Sequence, residues 1–316
     1  MKEYDSRFLV GLLLPSVLSF GAYLATSSGV LSILPLLLMS ERLDEMWKKV
    51  TSVSLVVIAV IALHVIQLKD IFQDMSSTTG VLIVGLFMPV SLLVSSGIWI
   101  MMSPRRYFMR LSASVSFPVV IGCFIVLWLL GESESSRETL RIYQEVLNSV
   151  IQMLMGTQMA GTDSNTMSSF VNDMIIRFGL FIYLIQFLAA VYISEIFLHR
   201  NSSSFEQRMM QWKVPQEVLW VFLGAFTLVL VTFFTESTLV EIIAYNISSA
   251  LALLYAVHGV SIAVYLLKKK LEHLRVLRTF NFSLMLMALP GINVVAFLGF
   301  ALLGISETWV TYRKHE

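Results

Sequence analysis

The chain has 316 residues, of which 57 % are hydrophobic and 14 % charged; its mean hydropathy is +0.78 and its formal net charge +1. This composition excludes a soluble globular protein, and it excludes a general nucleic-acid partner because there is no excess of positive charge to hold a polyanion. A single cysteine, Cys123, inside an apolar segment excludes a disulfide framework and a thiolate metal cluster.

The charged start MKEYDSR leads into an apolar tract from Phe8 to Met39 of about 32 residues, too long for a signal-peptide core and without a convincing cleavage site. It reads as a retained first span. A bilayer core needs roughly 20 residues, and Thr26-Ser27-Ser28-Gly29 interrupts the tract, so two short crossings or one broken helix both fit. Pro15 and Pro35 lie within the two halves, which membrane helices tolerate when neighbours satisfy the released backbone groups. Further spans follow at Val50 to Leu68, Gly80 to Met102 and Leu111 to Leu130, separated by the polar loops ERLDEMWKK, KDIFQDMSS and SPRRYFMR.

After Gly131 comes the longest polar excursion. Ser135 with Glu138 three residues on has the form of a capping box. Leu140, Tyr143, Leu147, Val150, Ile151 and Leu154 then recur at helical spacing, with Arg141, Glu145, Asn148 and Gln152 on other faces. An amphipathic surface helix is expected over 135–156, with Gly156 and GTDSNTMSS returning the chain to the membrane. Spans are read at Phe170 to Leu198, Val218 to Phe234 and Glu241 to Leu267; the last runs into a basic loop over 268–279 containing Lys268, Lys269, Lys270, Arg275 and Arg278. The final apolar tract, Phe280 to Ile305, is broken at Pro290-Gly291 and fits either one kinked span or a re-entrant hairpin.

The fold class is therefore all-α: one polytopic transmembrane bundle over 1–316, with about 8–10 spans, broken first and last tracts and one outer amphipathic helix. Placing the N-terminus in the cytoplasm puts 16 Lys and Arg in the inner loops and three, Lys69, Arg137 and Arg141, in the outer ones. The opposite orientation inverts that bias.

Ionisable groups deep in a membrane are the default functional candidates, and this sequence has few. His64, Arg177 and Glu195 each lie near a span end, where snorkelling explains them. Tyr192, Glu195 and His199 share one helix face. His258 is the deepest, with Tyr245 and Asn246 on the same helix, but Asn246 and His258 project about 120° apart. Ligand or coupling candidates are thus His258, Asn246, Tyr245, Glu195 and Arg177. Ser248, Ala252, Ala256, Gly259 and Ala263 form a small-residue seam that lets a second helix approach closely.

No enzyme signature of the HExxH, GxSxG, CxxC or GxxxxGK[ST] type is present, so no enzyme, cofactor or metal is expected. The 17 methionines read as soft packing. The expected partners are the lipid bilayer and a protein within the membrane, with no nucleic acid.

The order VPQEVLW, then Tyr245-Asn246, His258-Gly259 twelve residues later, a basic loop, and LLGISETWVTYRKHE resembles the YybS-like family of bacterial membrane proteins over about the last 100 residues. That family's terminal pattern is matched by Gly304, Glu307 and Tyr312-Arg313, with Glu307 where Asp is common. The broken first tract is more loosely similar to the substrate-binding membrane subunits of energy-coupling-factor vitamin transporters. These resemblances imply a multi-pass protein of the bacterial inner membrane. Two functional readings follow. One is a solute-binding subunit without its own energy source, its pocket opening outward beneath the 135–155 helix. The other is a scaffold or assembly partner that offers its small-residue seam to another protein, with lipid handling of the flippase kind as a lesser third.

Overall fold

The computed structural model describes residues 2–69, 75–102, 107–131, 133–155, 164–199, 202–271 and 273–313, and within these not the side chains at 2–10, 12, 68–69, 75–78, 154–155 and 164–166. Arg105, Arg106, Gly156 with the following 157–163, Arg200 and Lys314 lie outside the described residues, as do the side chains of Lys69 and Leu154.

All described elements are helical: α1 (Lys2–Thr26), α2 (Gly29–Leu38), α3 (Met46–Lys69), α4 (Met75–Met101), α5 (Tyr107–Leu130), α6 (Glu134–Met155), α7 (Ser164–His199), α8 (Ser203–Gln211), α9 (Val218–Thr232), α10 (Thr238–Lys270), α11 (Val276–Ala288) and α12 (Asn293–Ser306), with a short 3-10 turn at Ser40–Arg42. Met46–Gln67, Thr79–Met101, Tyr107–Leu130, Met167–His199 and Thr238–Lys270 are long and apolar enough to cross a bilayer; α2, α9, α11, α12 and Leu13–Thr26 of α1 are apolar but shorter. The protein is a polytopic helical membrane protein. Its packing forms two compact units, residues 1–176 with 183–194, and residues 177–182 with 195–316.

In the first unit, α1 ends at Ser27, whose φ of +51° is the left-handed conformation that stops a helix. The chain reverses there, so that Ser19 of α1 donates to the Ser32 carbonyl of α2. Hydroxyl groups join the helices: Ser16 and Ser52 lie 2.8 Å apart, Ser95 donates to the Ser114 carbonyl at 2.5 Å, and Tyr183 of α7 donates to Ser95 at 2.6 Å. Small hydroxylated residues allow such close approach and satisfy one another where water is scarce. Lys49 donates to the Ile100 carbonyl and Arg110 to that of Trp99, so basic side chains take up carbonyls in the last turn of α4. Lys49 and Arg110 therefore both lie at the Met46 end of α3.

The amphipathic helix is present as α6. Its start differs by two residues from the expected capping box: Ser133 accepts the Ser136 N–H at 3.2 Å and is the cap. Glu138 instead pairs with Arg141, whose guanidinium holds the carboxyl below its usual range. Ser136, Thr139 and Ile151 are buried, whereas Arg141, Glu145 and also Val150 are exposed.

In the second unit α10 is the central element, flanked by α8, α9, α11 and α12. An added β-carbon on Gly259 would overlap the Phe300 carbonyl, and one on Gly304 the Tyr255 carbonyl. Each glycine also faces the other's amide. Phe297 near the start of α12 packs on Phe181, beside the Leu180 that Asn246 near the start of α10 bonds, and Gly304 near the end of α12 meets Gly259 further along α10, so the two helices run in the same direction. Because α11 starts beside the end of α10 and α12 runs parallel to α10, the last tract is a hairpin. Gly291, with φ +86°, makes its turn, and the chain returns toward the Lys268–Lys270 end.

Candidate functional site

The residues singled out from the sequence fall into three separate places in the second unit. Arg177, Tyr245 and Asn246 meet at a kink in α7, where Phe178 leaves helical geometry (φ −120°, ψ +16°). A kink in a membrane helix releases backbone groups that must find partners. Asn246 supplies one: its Oδ1 accepts the Leu180 N–H at 2.8 Å while its Nδ2 donates to the Ile242 carbonyl. Tyr245 packs its ring on Phe178, and Arg177 pairs with Glu241 at 3.0 Å. Glu195 is elsewhere, 3.8 Å from His199 and 3.7 Å from Arg208 of α8. The wheel separation of Asn246 and His258 corresponds to different neighbours, α7 for the one and the C-terminal segment for the other.

His258 is buried, and its partners come from residues that the sequence reading places in the closing tail. Its Nε2 lies 2.5 Å from Glu307, and Arg313 grips the same carboxylate through Nε, at 2.8 Å, and Nη2. Arg313 Nη2 also lies 2.7 Å from His258 Nε2. A guanidinium only donates, so both contacts cannot be hydrogen bonds to one tautomer. A proton on Nε2 satisfies the carboxylate, which then accepts from imidazole and guanidinium together, and the cluster of one anion, one cation and a neutral ring carries no net charge. His258 Nδ1 and the hydroxyl of neighbouring Tyr255 are buried without a partner among the described residues. The other arm of Arg313 donates to the carbonyls of Met210 (2.6 Å) and Trp212 (3.0 Å), while Ser261 donates to that of Met209. These oxygens lie at the C-terminal end of α8, where carbonyls lack helical partners and the dipole is negative. The arrangement binds α8, α10 and the segment after α12 into one piece; its carboxylate and guanidinium are satisfied, while His258 Nδ1 and the Tyr255 hydroxyl are not.

The first unit holds a different kind of place. At the break between α1 and α2 lies a cavity of about 460 Å³, lined by Tyr23, Ser27, Ser28, Gly29, His64, Gln67, Gln186 and an apolar wall that includes Leu24, Val30, Leu63, Met88 and Pro89. Gly29 lets the start of α2 sit close against α4, its α-carbon facing Pro89 and Leu92. Gln67 ends the apolar span of α3, and Pro89 lies about 15 Å inside that of α4, counted from Thr79 at 1.5 Å per residue. The cavity thus reaches from one rim into the depth of the helices.

His64 donates through Nδ1 to the Val60 carbonyl at 3.1 Å, which leaves Nε2 to accept from the Tyr23 hydroxyl at 3.3 Å. The side chains of Ser27, Ser28, Gln67 and Gln186 have no hydrogen-bond partner within the described protein, and the first turn of α2 has no side-chain cap. Elsewhere in this unit the serines of the helix core, including Ser32, Ser95, Ser96 and Ser114, are all bonded. These four polar side chains, of which Ser27 and Gln67 are exposed, share one concavity. None of its lining residues belongs to α6, the helix expected to roof an outward pocket. Sequence reasoning located that break but read His64 as an interfacial anchor and passed over Gln67 and Gln186. The available signal was amide side chains inside apolar spans.

Fold and cavity together define a multi-pass helical membrane protein with a polar recess at the α1–α2 break. The chain belongs to the family described as predicted membrane protein (DUF2232), whose model matches residues 46–301. The match is far wider than the C-terminal third on which the resemblance was drawn; it takes in His64, Gln67 and Gln186 but stops before Glu307 and Arg313. No curated protein and no solved structure matches the chain.

Proposed function

We propose that the protein is a small-solute-binding membrane subunit without an energy source of its own, and that the cavity at the α1–α2 break is its binding site. The observation that carries this reading is the set of unbonded side chains, Ser27, Ser28, Gln67 and Gln186, around a cavity of about 460 Å³. That volume falls within the range of small-molecule sites, and polar groups inside a membrane are retained where a ligand or water uses them. A broken helix at such a site also fits the way many transporters build theirs. The looser likeness to energy-coupling-factor substrate-binding subunits points the same way, as does the YybS-like pattern to a bacterial inner-membrane protein. With the N-terminus in the cytoplasm, the basic Met46 end of α3 faces inward and the cavity opens outward. A separate energising complex is then the partner, and no reaction is catalysed by this chain. The scaffold alternative loses part of its support, because Gly259 of the seam is covered by α12.

The test is extraction of small molecules from natively purified protein, read by mass spectrometry beside a Gln186→Leu variant of equal thermal stability. A solute enriched with the wild type and lost from the variant is expected. Equal, empty extracts, with no stabilisation of either protein by a mixed metabolite pool, would overturn the reading.

A further inference from the structure

We infer that the cavity takes an uncharged solute with a donor–acceptor edge of the amide or lactam kind, and not an ion; this rests on the cavity being the binding site. Among the described residues no Asp, Glu, Lys or Arg lines it, and the imidazole of His64 is engaged at both nitrogens, by the Val60 carbonyl and the Tyr23 hydroxyl. A charge placed there would lose its hydration without meeting a counter-charge, which is strongly unfavourable inside a helical membrane unit. The two helix ends at the break do not supply one. The C-terminal end of α1, with its partial negative charge, and the N-terminal end of α2, with its partial positive charge, meet across Ser27-Ser28. Their potentials, opposite in sign and side by side, offset each other at the break.

What the lining offers is hydrogen bonding of both kinds. Each carboxamide, Gln67 and Gln186, presents two N–H donors beside a carbonyl acceptor, and the Ser27 and Ser28 hydroxyls can do either. A planar amide edge is the complement of a carboxamide. The rest of the lining, with Leu63, Met88 and Pro89, is apolar and suits the face of a small ring. A site of this composition discriminates mainly through its polar groups: an analogue of equal shape that cannot bond leaves the carboxamides unpaired, and the loss is large.

The experiment uses the full chain in lipid nanodiscs, with thermal stabilisation and calorimetric titration as readouts. Uracil, 2-pyrrolidone and benzamide are the neutral probes, 1,3-dimethyluracil is the shape control with its N–H groups blocked, and succinate and tetramethylammonium are the ions. At least one neutral probe is expected to bind, to be weakened tenfold or more by Gln186→Leu and by Gln67→Leu at the exposed rim, and to be unaffected by Glu138→Gln on α6. For uracil, 1,3-dimethyluracil should bind at least tenfold more weakly. Binding of succinate or tetramethylammonium that Gln186→Leu abolishes would overturn the assigned class while leaving the binding-site reading intact. Failure of all three neutral probes overturns the class too, and joined to an empty native extract it removes both.

Discussion

Glu307 shows how much a single carboxylate can hold. It is 5 % exposed, accepts from His258 and Arg313, and through Arg313 is tied to the end of α8. Replacing it by Gln keeps the shape but leaves the Arg313 guanidinium without its counter-charge, and breaking a buried pair in this way costs about 3–5 kcal/mol. Thermal unfolding of the Glu307→Gln variant in detergent should record that loss, and the α8 region should be cut faster by protease. Arg313→Lys should lose nearly as much, because an ammonium cannot grip the carboxylate bidentately while reaching the Met210 and Trp212 carbonyls. An unchanged melting temperature in both variants would contradict the cluster. His258 was legible in the sequence because an imidazole interrupts an apolar helix. Glu307 and Arg313 were visible only as parts of a terminal pattern, since they lie 49 and 55 residues from their partner and only the returning hairpin brings them near. His64 shows the opposite limit: its position near a span end suggested a headgroup contact, and nothing local reveals that Tyr23 approaches from another helix.

At the scale of elements, the α10–α12 pair depends on two residues without side chains. Gly259→Ala and Gly304→Ala each direct a methyl group at a backbone carbonyl that no rotamer change can move away. Each substitution should cost about 1–3 kcal/mol, as overpacking of a tight contact does. Thermal melts of the two single variants check this, with Gly299→Ala, where an added β-carbon meets nothing within 4 Å, as the neutral control. Asn246→Leu should cost less, about 0.6–1.7 kcal/mol, the range measured for side-chain hydrogen bonds between membrane helices. The breaks at Ser27-Ser28 and Pro290-Gly291 were readable because turn residues punctuate apolar tracts. The direction taken after each break was not, because periodicity describes a helix and says nothing of where the next one goes. The small-residue seam on α10 was readable for the same local reason, whereas its complement, Gly304, lies on another helix.

For the whole molecule, the asymmetry of positive charge was the strongest signal in the sequence, and the proposed orientation follows from it. It has a direct test in a Cys123→Ser background. A membrane-impermeant maleimide added to intact cells should label Ser27→Cys at the cavity and spare Lys269→Cys until the membrane is permeabilised. Reversed labelling would invert the orientation and turn the cavity mouth inward. Hydropathy gave the helical membrane class, but the helices shorter than a bilayer crossing, α2, α9, α11 and α12, depend on neighbours that only the assembled protein supplies. The distance along the chain between His258 and its partners has a consequence for biosynthesis. During translation α10 enters the lipid carrying an imidazole whose acid and base companions are still unmade. The α11–α12 hairpin must arrive before that helix reaches its final state, so maturation of this half of the protein waits on residues made after α10.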